Sequence, residues 1–218
     1  MNILTKEDGD NPLDGVEFLT LGLAWERNTV PGESSGIGKA KAWAQRKKRE
    51  TNGLTDPADM DAGALFFVGD KPVKYLGFGN ETPFKDEPTP AEQHSAVTTG
   101  DSLRGEGDGD DETLTFDLRN IPARFTRFMI VVGAHKPGSK MNAVHDLKAT
   151  IYDGTGGTNQ SVAVIEPSLL EDHEILAICD VKRTAAASWV LKVNGSGFTP
   201  VKGDIRSLLL KSINALGR

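Results

Sequence analysis

Cysteine is nearly missing from this chain: Cys179 is the one thiol in 218 residues, so no intrachain disulfide can form. It ends the apolar stretch Ile175-Leu176-Ala177-Ile178-Cys179 and reads as a buried structural thiol rather than a reactive one. Long hydrophobic runs are missing too. None reaches the roughly 20 residues that cross a bilayer as a helix, so no membrane partner is expected. Residues 1–14 are polar and acidic, and no secretory signal is visible among them. A cytoplasmic protein is the expectation, with carriage inside a virion or other particle as the alternative. Charge of one sign is in short supply. The balance of 31 acidic against 25 basic residues leaves −6, which argues against general nucleic-acid binding.

Catalytic signatures are also absent. His94, His135, His145 and His173 form no pair with zinc-ligand spacing. There is no Gly-x-Ser-x-Gly and no Walker-type loop. Ser34-Ser35-Gly36-Ile37-Gly38-Lys39 lacks the spacing and the preceding strand that a phosphate loop needs. No carboxylate pair stands out as acid and base, so the chain is expected not to be an enzyme.

Hydrophobic residues at 38% and charged residues at 26% are enough for a sizeable core. Phe18 to Trp25 alternates apolar and small residues and reads as a half-buried strand. Ala64–Val68 and Val73–Phe78 form a pair around the turn Gly69-Asp70-Lys71-Pro72. Strands are also expected at Thr113–Leu118, Phe125–Ala134, Lys148–Asp153, Ser161–Ile165, Glu174–Val181 and Trp189–Val193. Many short strands with turns between them predict an all-β, two-sheet β-sandwich.

Two segments break the pattern. Lys39–Arg49 holds helix formers without Gly or Pro and predicts a basic helical insert. Near the end, Ile205, Leu208, Leu209, Ile213 and Leu216 recur at helical spacing and predict an amphipathic C-terminal helix over about 203–217. The expected organisation is an N-terminal arm over 1–17 and a sandwich domain over 18–218, with the insert at about 26–56. Thr82–Thr99 is rich in proline and acid and reads as a long loop.

The chemistry concentrates in Gly100-Asp101-Ser102-Leu103-Arg104-Gly105-Glu106-Gly107-Asp108-Gly109-Asp110-Asp111-Glu112. Glycines alternate with carboxylates, and the glycines let the backbone fold tightly. Two carboxylates about 5 Å apart repel by roughly 3 kcal/mol at an effective dielectric near 20. A cation, protons or water must offset such a cluster. A flexible loop of hard oxygen ligands suits Ca²⁺, with its six to eight ligands, better than Mg²⁺. A solvated acidic loop is the other reading. The loop is no EF-hand, because the sixth residue from Glu106 is Asp111 and a strand follows. It is no calcium β-roll either, because the repeat occurs once.

This stretch resembles the signature loop of TerD-like tellurium-resistance and stress-response proteins. The matching residues are Gly100, Asp101, Gly105, Gly107, Gly109, Asp110, Asp111 and Glu112. Leu114-Thr115-Phe116-Asp117-Leu118, Ile121-Pro122, Leu21-Gly22-Leu23-Ala24-Trp25, Asp59-Met60-Asp61-Ala62, Trp189 and Gly195-Ser196-Gly197-Phe198 are also similar to the family. The resemblance spans roughly Phe18 to Leu216 and implies a calcium-binding β-sandwich. It implies metal ligands at Asp59, Asp61 and Asn80, with Asp101, Glu106, Asp110, Asp111 and Glu112 as the further candidates. Ser102 stands where the family has an amide, and Arg104 where it has a threonine. The segment from Trp25 to Asp59 is longer than the family norm.

Lys39, Lys41, Arg46, Lys47, Lys48 and Arg49 gather six positive charges around Trp43 in an acidic chain. This is either a solvated helix or a docking arm for an acidic partner surface or for phosphates. In the second case Trp43, Arg46, Lys47, Lys48 and Arg49 contact the partner, and Trp43 is the anchor. Protein partners or self-association are expected, and nucleic acid only through this insert. Two functions are open: a calcium-binding stress and tellurite-resistance module, or a structural component of a larger particle such as a phage virion.

Overall fold

Period-two alternation becomes eleven strands among the residues that the computed structural model describes, which are 4–5, 8–27, 60–77, 80–99, 110–134, 144–157, 159–166 and 173–198. In chain order they are β1 (Asn11–Pro12), β2 (Phe18–Arg27), β3 (Met60–Val68), β4 (Lys71–Leu76), β5 (Ala96–Thr99), β6 (Glu112–Asp117), β7 (Arg127–Ala134), β8 (Val144–Asp153), β9 (Gln160–Ile165), β10 (Ile175–Arg183) and β11 (Trp189–Phe198). They form a six-stranded sheet in the order β1-β11-β10-β7-β3-β4 and a five-stranded sheet in the order β5-β6-β2-β8-β9. All the paired neighbours run antiparallel.

The sheets pack face to face because each presents one apolar row to the other. Leu19, Leu21 and Leu23 of β2 face Phe66, Phe128 and Ile130 of the other sheet in one buried cluster. Phe116 of β6 stacks on Phe128 of β7 with ring centroids 4.6 Å apart, joining the two layers at an aromatic contact. Strand β6 shows the alternation of a strand with one dry face, whereas β3 is buried on both faces over eight residues. Cys179 lies in this core, fully buried, and burial pushes its thiol far above the ordinary range. An inert structural thiol is therefore what the fold contains.

The expected strands are all present, several of them longer than expected. The loop expected over Thr82–Thr99 is more ordered than that. Phe84 is fully buried and meets Phe66 edge-on at 4.6 Å. Glu87 is paired with Arg124. Thr89-Pro90-Ala91-Glu92 closes a capping box on a short helix, α1 (Pro90–Gln93), and Ala96–Thr99 is the edge strand β5. The described residues thus hold a short helix outside the two segments expected to be helical, and a 3-10 turn follows β8 at Thr155–Gly157. Nor is 1–17 wholly an arm. Strand β1 pairs with β11, Leu13 is buried in the core, and the Leu4 amide donates to the Val164 carbonyl. Glu26 and Arg27 still belong to β2. The rest of the insert and the 203–217 segment lie outside the described residues.

The sandwich has two unlike ends. At one, connections are short, such as Gly69-Asp70 between β3 and β4 and Ala185-Ala186-Ala187 between β10 and β11. At the other, β2 ends and β3, β6, β8 and β10 begin, as the pairs Arg27↔Val144, Leu23↔Glu112, Met60↔Ala134 and Gly133↔Ile175 record. Residues flanking 28–59, 100–109, 135–143 and 167–172 all stand at this second end, and so does Phe198, the last described residue.

Candidate functional site

The acidic run enters the sandwich at this end, at the start of β6. Successive residues of an extended chain point to opposite sides, so Asp110, Asp111 and Glu112 do not converge on one point. Glu112 has the parity of Leu114 and Phe116 and turns inward. It is 5% exposed, and its Oε2 accepts a hydrogen bond from the Ala62 amide of β3 at 2.7 Å. Asp111 works at the strand edge. Its amide donates to the Leu23 carbonyl at 2.8 Å, and its Oδ2 accepts from the Trp25 amide at 3.1 Å. That contact holds β2 where its register with β8 shifts between Ala24 and Glu26.

Asp110 precedes the strand and turns onto the outer face of the five-stranded sheet. Its carboxylate lies over Gly22, where a Cβ would stand 2.0 Å from Oδ2. The Tyr152 hydroxyl donates to Asp110 Oδ1 at 3.3 Å. Lost hydration raises the Asp110 carboxyl above the usual carboxylate range, and the Tyr152 hydrogen bond only partly opposes this. Reciprocally, burial and then the Asp110 charge raise the Tyr152 phenol.

Asp61 is on the other sheet. It pairs with Gly133 in the β3–β7 ladder and, with Gly63 and Leu65, faces away from the sandwich interior. It is 5% exposed and lines a small pocket with Gly63, Tyr75, Val131, Gly133 and Ile175, with room for about one water molecule. Asn80 closes the turn after β4. Its amide donates to the Gly77 carbonyl at 2.8 Å, and its side-chain Nδ2 donates to the Tyr75 carbonyl. Gly77 sits there at φ +143°, and a Cβ would come within 2.3 Å of the Tyr75 hydroxyl, so glycine is required.

Asp59, Asp101 and Glu106 lie outside the described residues, as do Trp43, Arg46, Lys47, Lys48 and Arg49. Among the described residues, no group of three or more His, Cys, Asp or Glu side chains gathers as a metal site. The donor chemistry of Asp61, Asp110, Asp111 and Glu112 fits a hard cation, since all of it is oxygen. These four do not fill a calcium shell by themselves. Glu112 ties the two candidate ligand segments together, because its partner amide belongs to the residue after Asp61.

Tyr152 and Gly22 shape the surroundings of Asp110; Tyr152 was not singled out from the sequence, and Gly22 only as part of the stretch Leu21-Gly22-Leu23-Ala24-Trp25. The only local signal was the outward parity of Tyr152 in β8 and of Gly22 in β2. Trp25 Nε1 is buried and has no hydrogen-bond acceptor among the described residues.

A two-sheet antiparallel sandwich with an acidic stretch feeding one end is the class of protein this geometry defines. Residues 13–209 match the TerD domain, and the chain belongs to the TerD domain family. It is 36% identical over 146 residues to tellurium resistance protein TerZ of Serratia marcescens, covering 65% of this chain and 69% of that protein. It is 30% identical over 197 residues to YceE of Bacillus subtilis (strain 168), covering 85% of this chain and 83% of YceE. Among solved structures, a homologue of the telluride resistance protein TerD from Streptomyces coelicolor A3(2) superposes with a TM-score of 0.62. It has 16% identity and covers 91% of this chain and 98% of that one, a likeness of fold alone.

Proposed function

We propose that this TerD-domain protein is a non-enzymatic calcium-binding module acting in stress and tellurite resistance in the cytoplasm. One observation carries the reading: Glu112 Oε2 accepts from the Ala62 amide at 2.7 Å, so the start of β6 and the residue after Asp61 meet at one end of the sandwich. Asp59, Asp61, Asn80, Asp101, Glu106, Asp110, Asp111 and Glu112 are the candidate oxygen donors, not all to one ion, because Asp61 and Asp110 stand on the outer faces of opposite sheets. Calcium bound there would offset repulsion wherever the carboxylates of this run approach one another. The raised carboxyl of Asp110 supports the reading, since burial leaves its charge poorly hydrated. The resistance role is supported by the name of the TerZ relative. Partner contact would use Trp43, Arg46, Lys47, Lys48 and Arg49. The particle-component reading rests on that same insert, outside the described residues, and no further observation favours it.

Calorimetric titration of metal-stripped protein tests the reading. A ligand that binds only the folded state adds about 2.7 kcal/mol at a hundredfold excess over Kd. Calcium should therefore give heat and raise Tm, and a chelator should reverse the rise. Magnesium should substitute poorly, since it holds its waters. Asp110→Asn with Asp111→Asn should remove most of the calcium dependence. No heat at millimolar calcium, with equal melting in calcium and chelator, would leave a solvated acidic loop.

A further inference from the structure

Each sheet ends in two edge strands, and an edge presents backbone groups on which a further strand can form. Among the described strands, three of the four edges carry their own safeguard. β4 holds Lys71, Pro72 and Lys74, β5 is four residues long, and β1 is two residues long and ends in Pro12. β9 is unlike them. Gln160-Ser161-Val162-Ala163-Val164-Ile165 holds no charge and no proline, and Val162 is 36% exposed. A bulge opposite Ile151 and Tyr152 interrupts its first half, which makes that half a poor template. The second half is regular, with Ile151↔Ala163, Thr150↔Val164 and Ala149↔Ile165 in register. The Val164 carbonyl accepts from Leu4 and not from β8. In an antiparallel ladder the amide and carbonyl of one residue point the same way, so both of Val164's turn to the open side.

The chain's own N-terminal residues meet that side. The Leu4 amide donates to the Val164 carbonyl at 2.9 Å, and the Leu4 side chain packs against the main core. Thr5 and Asp8 then close a turn. The Thr5 amide and hydroxyl donate to Asp8 Oδ2 at 2.7 and 3.1 Å, and the Asp8 amide donates to the Thr5 carbonyl at 3.2 Å. At Asn11 and Pro12 the chain has reached the other sheet, where they pair with Leu191 and Val190 of β11, and the Leu13 amide donates to the Trp189 carbonyl at 2.9 Å. The stretch from Leu4 to Asn11 thus ties the edge of one sheet to the edge of the other, across sheets that pack about 10 Å apart. At the β9 end the tie is slight, one backbone bond and one partly buried leucine. Such an end can open locally while the sandwich stays folded.

We infer that Leu4 and its turn guard the β9 edge, and that β9, once released, pairs antiparallel with β9 of a second copy of this chain. An identical strand fits because the edge has no charge to repel its own copy, and two identical antiparallel strands are related by a two-fold axis, which closes the assembly at two chains. Leu4→Asp with Asp8→Ala in the full chain, in chelator, loosens the guard. Amide exchange at Leu4 and Thr5 should speed by about tenfold or more. In sedimentation equilibrium the mass should rise with concentration toward about twice that of the parent chain. Val164→Pro added to this variant removes the amide on the open side and keeps the carbonyl, so the mass should return to the parent value. Val162→Glu, at an exposed position, sets like charges across the two-fold axis and should do the same without touching the ladder. Fast exchange with the mass unchanged would overturn the inference. So would slow exchange, because Leu4 and Asp8 would then not be what holds the segment. Association that survives Val162→Glu would put the contact elsewhere and overturn the choice of β9.

Discussion

Single side chains at the acidic run have separable duties. Glu112 satisfies a buried backbone amide, whatever else it does. In chelator, Glu112→Ala should cost about 1–3 kcal/mol, since the Ala62 N–H loses its acceptor in a dry setting. Glu112→Gln keeps an acceptor there and should cost less, while still lowering calcium affinity. Denaturant melts of both variants with and without calcium check this. Asp117, at the far end of β6, holds the turn that follows the strand. It accepts from the Arg119 Nε at 3.0 Å and the Asn120 Nδ2 at 2.8 Å. Burial pulls this carboxyl up, but the hydrogen bonds from Arg119 and Asn120, with the Arg119 charge, outweigh it and set the carboxyl below its usual range. A folded pKa below the unfolded one means stability present above about pH 4 and lost as pH falls through the folded value. Asp117→Asn should therefore melt lower than wild type at pH 7. The gap should narrow steadily below pH 4 in a pH series of thermal melts.

At the level of strands, what matters is how bare β2 is where β6 begins. Gly22 lets the Asp110 carboxylate lie flat on the five-stranded sheet. The group crowding a Cβ there is the end of a flexible side chain, so Gly22→Ala should displace Asp110 rather than break the strand. Stability in chelator should change by less than about 1 kcal/mol. The calcium-induced rise in Tm should shrink, and thermal melts in paired buffers measure both. The β4–β5 connection shows how a turn signature can be hidden by composition. Its prolines and acids read as loop, yet Thr89-Pro90-Ala91-Glu92 is a capping-box sequence, and Phe84 enters the core from the middle of it. Strand β5 is only four residues long and lies at a sheet edge, too short for periodicity to reveal.

For the molecule as a whole, the described strands divide the sandwich into an end of tight turns and an end from which the long segments leave. If Lys39–Arg49 is a docking arm, changing Arg46, Lys47, Lys48 and Arg49 to Ser should weaken self-association or partner capture while Tm holds nearly constant. Light scattering across protein concentrations, beside a thermal melt, checks both halves, and unchanged association would make the segment a solvated helix. Local chemistry was enough to mark the alternating strands, the turn at Gly69-Asp70, the buried thiol of Cys179 and the acidic, glycine-spaced run, because each depends on neighbours in the chain. The partners of Asp111 and Glu112 were not legible in this way: Glu112 meets Ala62 across 50 positions, and Asp111 meets Trp25 across 86. Nor did the sequence show that Asp110, Asp111 and Glu112 part toward an outer face, an edge and the interior. Which side a carboxylate faces depends on strand register, and register is set by the packing of two sheets whose contacting residues lie far apart in the chain.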